Sequence, residues 1–372
     1  MSEELMDLIE NWRGYTPLNG QRSDERKVRE VIDLMTNARG VPQHRHEYEL
    51  REAMTTSDFP YLFGDVLDRQ VLASYQAVPA VWKAFCRMGT VNRIFPQVGG
   101  YRFSITNGDQ TLAEVAEKGE YLASDRDETR YPVYVKKYGR QFDISWEAMI
   151  NDDLGALKDT PERFARAAAR TEHRLVSGVY VADLVGAVNL YAGANGNSGA
   201  LPLTIANLEN SIEAMQAFLD ANGEPIWNKP KYLVVSPGNE MNARQILTST
   251  NKMWTESAGG GATAYPMSNV VSSLGLELIV DPYIPIYAPA AVLSWFLFAD
   301  PKDIAAMEFD YLSGHERPEI CMKTSNKVAV GGGDLGPMTG DFETDNVFYR
   351  VRDVCGCNRL EWRATYGQLT NV

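Results

Sequence analysis

Histidine and cysteine are scarce in this chain, four of each among 372 residues, and the few present are badly spaced for chemistry. His44 and His46 in "HRH" and Cys355 and Cys357 in "CGC" have no partners at the spacings of a structural zinc site. With histidines so few and scattered, no Ser-His-Asp grouping is expected, and neither a metal nor a cofactor. Long apolar runs are missing too. "APAAVLSWFLFA" (288–299) stops at 12 residues, short of the ~20 that cross a bilayer. The opening "MSEELMDLIENW" is acidic and lacks the basic and apolar regions of a secretory signal. No export is expected, so Cys86, Cys321, Cys355 and Cys357 are read as reduced thiols. Positive charge is also in deficit. Lys plus Arg number 36 against 49 Asp plus Glu, a net charge of -13, which opposes non-specific attraction to phosphate backbones and anionic membranes.

Two local patterns look chemical and are read otherwise. Asp152 and Asp153, after Asn151, are adjacent, so in a turn their carboxylates diverge, whereas an acid/base pair must converge on one bond. Asn and Asp also favour turns for their own backbone bonding, and the three are read as a structural turn. "GGGDLG" (331–336) matches a dinucleotide-loop spacing, but Pro337 and Gly340 stand where a phosphate-binding helix is needed. It is read as a loop.

What is present is a folding composition, 44% hydrophobic and 23% charged. Residues 1–57 carry two short helical patterns with narrow apolar faces, an arm that packs on something else. "FPYLFGDVLDRQVLASYQAVPAVWKAF" (59–85) reads as an amphipathic helix interrupted near Pro79. Tyr101, Phe103 and Ile105, then Tyr131, Val133 and Val135, alternate as two half-buried strands. Between them lies a strongly acidic stretch with too few apolar residues for a core. This predicts a long two-stranded ribbon with an acidic tip, marginal by itself and needing another surface.

Next, Ser145 caps a short helix "WEAMIN", "DDLGAL" makes a turn, and Thr160 with Pro161 starts a long helix. That helix, about 36 Å long, has Phe164, Ala168, Thr171, Leu175, Gly178, Val179 and Ala182 on one face. Arg163, Arg166, Arg170 and Arg174 form a stripe on another, suited to pairing between subunits or to solvation. The break "AGANGNSGALP" (192–202) precedes a module of mixed helices and strands, with "SAGGGATAYP" as a glycine loop. The last segment, "NVFYRVRDVCGCNRLEWRATYG", reads as two strands parted near Gly356.

"LAEVAEKGEY" (112–121), "VKKYGRQFDISWEAMINDDLGAL" (135–157) and "AMTTSDFPYLFGDVLDRQVLASYQ" (53–76) resemble the major capsid proteins of tailed bacteriophages, in the Mu-like major head subunit group. The similarity covers 53 to about 185 and, beyond that, the order of elements. It implies the α+β Hong Kong ninety-seven fold. The N-arm would be 1–57, a helical segment of the peripheral domain 58–100 and an extended β-hairpin loop 101–141. The rest of the peripheral domain would be 142–189 with a spine helix at 158–183, the axial domain 190–330, and the return to the peripheral domain 331–372.

The resemblance implies a chain that assembles with itself, as hexamers and pentamers, into an icosahedral shell around double-stranded DNA, without sequence-specific binding and with no membrane. It would be assembled in the host cytoplasm and reside in the virion capsid. A scaffold or prohead protease would be separate, a portal would be a partner, and a decoration protein is a further possible one. The loop (Leu112, Glu114, Val115, Glu117, Lys118, Glu120, Tyr121, Asp125, Asp127, Glu128) would lie across a neighbour. Its acids would pair with basic residues and its apolar positions would be buried. Two rivals stand beside this reading. An encapsulin-type compartment shell shares the fold, and a soluble hydrolase would use Asp152 and Asp153.

Overall fold

The computed structural model describes residues 32–33, 59–92, 100–103, 114–115, 117, 130–145, 154–256, 263–323, 325–327, 330 and 341–370. Apart from Ile32 and Asp33, the predicted arm at 1–57 lies outside them, as do "WEAMIN", Asn151, Asp152, Asp153 and "GGGDLG". In chain order come helix α1 (Phe59–Ala77) and strands β1 (Arg87–Val91), β2 (Gly100–Phe103), β3 (Arg130–Val133) and β4 (Lys136–Ile144). Helix α2 (Leu154–Gly186), β5 (Ser198–Gly199), α3 (Ile205–Gln216), β6 (Pro230–Val235) and α4 (Glu240–Thr248) follow. Then come β7 (Asn251–Glu256), β8 (Thr263–Ser268), β9 (Glu277–Val280), α5 (Ile284–Tyr287), β10 (Trp295–Ala299) and β11 (Met307–Leu312). The chain closes with β12 (Glu319–Met322), β13 (Val347–Arg359) and β14 (Thr365–Gln368). The class is α+β.

Two compact units are woven from this chain, each from three separate stretches. The first takes residues 1–79, 136–171 and 314–355. Its sheet is centred on β13, with β12 antiparallel on one side (Ile320↔Val351) and β4 antiparallel on the other (Phe142↔Tyr349). Phe142 is the joint of this unit. Its ring stacks on Tyr349 at 5.0 Å and on Phe164 of α2 at 4.8 Å, fastening the start of the long helix to the sheet. Helix α1 is buried all round from Asp65 to Ser74. Its buried charges are paired, Asp65 with Arg69 one turn on and Asp68 with Arg317.

The second unit takes 80–135, 172–313 and 356–372. Its main sheet has the order β5-β14-β10-β6-β9. The central strand β10 is buried along its whole length, which is why "WFLFA" is apolar without alternation. Phe296 and Phe298 face the second half of α2, where Tyr180 meets them edge-on at 4.7 and 5.5 Å. Phe85, following a short 3-10 turn after Pro79, stacks on Phe298 at 4.7 Å. The other face carries α3, whose Leu208, Ile212 and Met215 are buried. Thr204 caps that helix through the Asn207 N–H, replacing one of the unpaired donors at its start. In the same unit β1 pairs parallel with β11, β2 pairs antiparallel with β3, and β7 pairs antiparallel with β8.

Several expectations need correction. Helix α2 begins at Leu154, not near Thr160, and runs 33 residues, so the "LGAL" of the expected turn is helical. Pro161 lies inside it and removes one backbone bond, a cost of about 3 kcal/mol that a helix anchored at many points absorbs. The buried face is turned from the predicted one, and runs through Ala165, Ala169, Glu172, Val176, Tyr180 and Leu184, while Ala182 is exposed. Thr263–Pro266, the end of the expected glycine loop, belongs instead to strand β8 of the β7–β8 hairpin. Strand β13 does not break at Gly356 but passes straight through it. A Cβ on Gly356 would sit 2.5 Å from the Tyr134 carbonyl oxygen, so glycine is there for close approach of two backbones and not for a turn.

Gly356→Ala is expected to destabilise by about 1–3 kcal/mol, because a backbone oxygen cannot swing aside. Chemical denaturation reads this directly, with Gly193→Ala, where nothing lies within 4 Å, as the silent control.

Candidate assembly surfaces and the ribbon root

The residues singled out in the sequence fall into three groups. Of the acidic loop, Glu114 and Glu117 are exposed and Val115 is half-buried, whereas Leu112, Lys118, Glu120, Tyr121, Asp125, Asp127 and Glu128 lie outside the described residues. On α2, Arg163, Arg166, Arg170 and Arg174 are all exposed, as a stripe should be, and Phe164 and Leu175 are half-buried. Arg166 pairs with Glu162 one turn back, and the Arg174 guanidinium donates to the Tyr287 hydroxyl at 3.3 Å. Such exposed contacts each contribute only ~0–1 kcal/mol. The stripe presents charge to solvent and leaves the packing of α2 to its opposite side.

The ribbon is present at its root. Tyr101↔Pro132 and Arg102↔Tyr131 pair across β2 and β3, and the return limb ends at Val133 before β4 leaves for its own sheet. Arg102 points from the ribbon onto β11. Its Nε lies 2.9 and 3.0 Å from the two carboxylate oxygens of Glu308, and its Nη2 lies 3.4 Å from Asp310 Oδ1. Both acids are buried, at 1% and 0% exposure. Asn358 of β13 donates to Asp310 Oδ2 at 2.8 Å and accepts from the Tyr134 N–H at 3.2 Å. On β1, Gly89 makes the space: a Cβ there would be 2.0 Å from Glu308 Oε1. Burial, reinforced by the negative charge of Glu308, pushes the Asp310 carboxyl up to about 7. The bond to Glu308 moves the Arg102 guanidinium upward. Sequence reading missed this cluster because Arg102 and Glu308 are 206 positions apart.

A His-Ser-Asp grouping, not expected from the sequence, does form. His173 Nε2 lies 3.2 Å from Asp281 Oδ1, and Ser177 Oγ donates to Asp281 Oδ2 at 2.5 Å. The wiring is not that of a nucleophile. A serine nucleophile must give its proton to the histidine, whereas here Ser177 and Tyr180 both donate to the same Asp281 oxygen. Ser177 and Tyr180 are fully buried. Burial pushes the Asp281 carboxyl up, but the bonds from His173, Ser177 and Tyr180 outweigh it and hold the group below its ordinary value. The grouping is an anchor between α2 and the turn after β9.

Other polar groups found inside also have structural partners. Tyr311 donates to Glu172 at 3.1 Å, and Arg359 closes a two-pronged pair with Asp183 at 2.5 and 2.8 Å. Burial, then a hydrogen bond with Cys357, pushes the Cys86 thiol well up, so Cys86 is a poor nucleophile. Burial pushes Asp353 up to about 6. Among the described residues no three His, Cys, Asp or Glu side chains gather as metal ligands, and no helix is long and apolar enough to cross a membrane.

Comparison with known proteins gives a family. A family model described as phage capsid protein matches residues 129–367, well over half of the chain. No curated protein matches. Among solved structures, the chain is similar to one from Gordonia phage Cozz (15% identity, 77% of this chain and 85% of that one, TM-score 0.46). It is also similar to one from Microbacterium phage Oxtober96 (12% identity, 78% and 91%, TM-score 0.47). A third is the holo-SrpI encapsulin complex from Synechococcus elongatus PCC 7942 (11% identity, 80% and 88%, TM-score 0.42).

Because the Asp281 value is depressed on folding, its stabilisation is full above the unfolded value of about 3.9 and is lost as pH falls through the folded value. Asp281→Asn is therefore expected to lower stability by ~1–3 kcal/mol at neutral pH and to flatten the acid limb of a melting-temperature profile. An acid limb unchanged in the variant would contradict this.

Proposed function

Since the chain belongs to the phage capsid protein family, we propose that it is the major capsid subunit of a tailed bacteriophage, assembling as hexamers and pentamers into an icosahedral shell around double-stranded DNA. The observation that carries this reading is the family match across 129–367, a span that contains α2 and most strands of both five-stranded sheets. The Hong Kong ninety-seven organisation assigns the roles. Residues 1–57 serve as the N-arm, 101–141 as the extended loop, 190–330 as the axial domain and 331–372 as the return to the peripheral domain.

Capsid proteins assemble into multimeric shells, and the virion capsid is where this chain belongs. The work is mechanical and not enzymatic, in keeping with the Ser177 hydroxyl committed to Asp281. The acidic ribbon of one copy lies across the next, offering Glu114 and Glu117 to basic side chains, with the exposed arginines of α2 as the matching charge. Since each exposed pair is weak, shell strength comes from summation over many interfaces and from apolar burial. A net charge of -13 suits an inner wall that does not grip packed DNA. A separate prohead protease or scaffold, a portal and a decoration protein complete the set of partners, and assembly takes place in the host cytoplasm.

Deleting residues 108–128 is expected to leave capsomers that no longer close into full-sized heads, as read by sedimentation and electron microscopy. Heads of normal size from the deleted chain would overturn the ribbon's role. A full chain that sediments only as a small oligomer under every assembly condition would overturn the shell reading itself.

A further inference from the structure

The ribbon root holds an uneven charge balance. One guanidinium, Arg102, faces two buried carboxylates, Glu308 and Asp310. Buried charge is tolerated only when it is matched. With one proton shared on the acid pair, one positive and one negative charge remain and the cluster is balanced. With that proton gone, a net negative charge is left among apolar strands.

Among the described residues, the neighbouring groups do not correct this. From β1 come the Thr90 carbonyl oxygen, 3.4 Å from Arg102 Nη2, and Arg87, the register partner of Glu308, whose side chain is exposed. From β13 comes Asn358, which is neutral. From β3 comes Tyr131, the register partner of Arg102, whose hydroxyl donates to Glu361 at 3.0 Å; Glu361 in turn pairs with Arg363 at 2.9 Å. Strand β2 is only four residues long and, among the described strands, is paired with β3 alone. A two-stranded ribbon is marginal in water, and the Arg102 contacts with β11 help to fasten it.

We propose that Arg102, Glu308 and Asp310 form a proton-operated latch at the root of the ribbon: a proton on the acid pair fastens strand β2 to β11, and its loss releases the strand. The sign follows from linkage. Asp310 sits at about 7 in the closed arrangement against about 3.9 for a hydrated aspartate. Closing therefore takes up a proton and opening gives it back, so the proton's contribution to closure is full below about 4, declines as pH rises and is gone above about 7. Arg102 limits this loss because its charge favours the ionised acids, which makes it the part of the latch carried by the ribbon. The device resides in a single copy of the chain and holds whether or not the ribbon lies across a neighbour.

Hydrogen–deuterium exchange of the Tyr101–Phe103 amides in the intact chain tests it, each rate divided by that of the same peptide unstructured at the same pH. Protection in the natural protein is expected to fall with rising pH, by at most roughly tenfold per unit between about 4 and 7, the limit for one released proton, and to level off above 7. Asp310→Asn, fixed in the uncharged form, is expected to stay protected with no slope, and Glu308→Gln likewise, since one carboxylate then faces one guanidinium. Arg102→Gln is expected to lose protection most at high pH and to regain it on acidification. A flat profile in the natural protein overturns the latch, as does an undiminished slope in Asp310→Asn. Should a variant fail to fold, the natural protein's profile decides the matter alone.

Discussion

Tyr180 is the residue on which the second unit turns. Its ring meets Phe85, Phe296 and Phe298 edge-on, and its hydroxyl donates to Asp281 at the end of β9. One side chain thus fixes α2 against the central strand through apolar contact and fixes its register through a directed bond. A helix packed by apolar contact alone can slide or rotate by a residue at modest cost. One pinned by a buried hydroxyl–carboxylate bond cannot, because slipping would leave a buried charge unmatched. Ser177 and His173, one turn and two turns earlier, add to the same carboxylate. What resembles catalytic machinery is a positional lock.

That lock explains which parts of the fold were legible. Strands β6 and β10 carry continuous apolar runs, "YLVV" and "WFLFA", because both of their faces are covered, and such runs declare themselves. Helix α3 carries its start signal in Thr204. The apolar side of α2 was misread because its buried face includes Glu172, Ser177 and Asp183. Each would be placed outside by any local rule, and each is held inside by a partner more than 100 positions away, Tyr311, Asp281 and Arg359 respectively. Gly356 was misread for the opposite reason. Its signal was genuine, but a glycine marks close backbone approach as readily as a turn, and only the position of Tyr134 distinguishes them.

The candidate surfaces were legible in proportion to how local they are. An arginine stripe at spacings of three and four residues is a property of one helix, and all four members are exposed. The ribbon root joins β1, β2, β11 and β13, and no window of sequence contains it. Alternation in the two limbs, at 101–105 and 131–135, supplied the expectation of a ribbon, whereas the chemistry at its base depends on side chains that only the fold brings together.

Both units are assembled from three stretches of chain, and the first is not complete until residues 314–355 are added. Its central strand, Val347–Cys355, is synthesised after both of the strands that flank it, β4 and β12. Domains that are continuous in sequence can fold while the rest of the chain is still being made. This one cannot, because β4 and β12 wait for the strand that lies between them. Truncated translation products are consequently barred from forming the sheet, and a lattice built of many copies is spared subunits that stopped short.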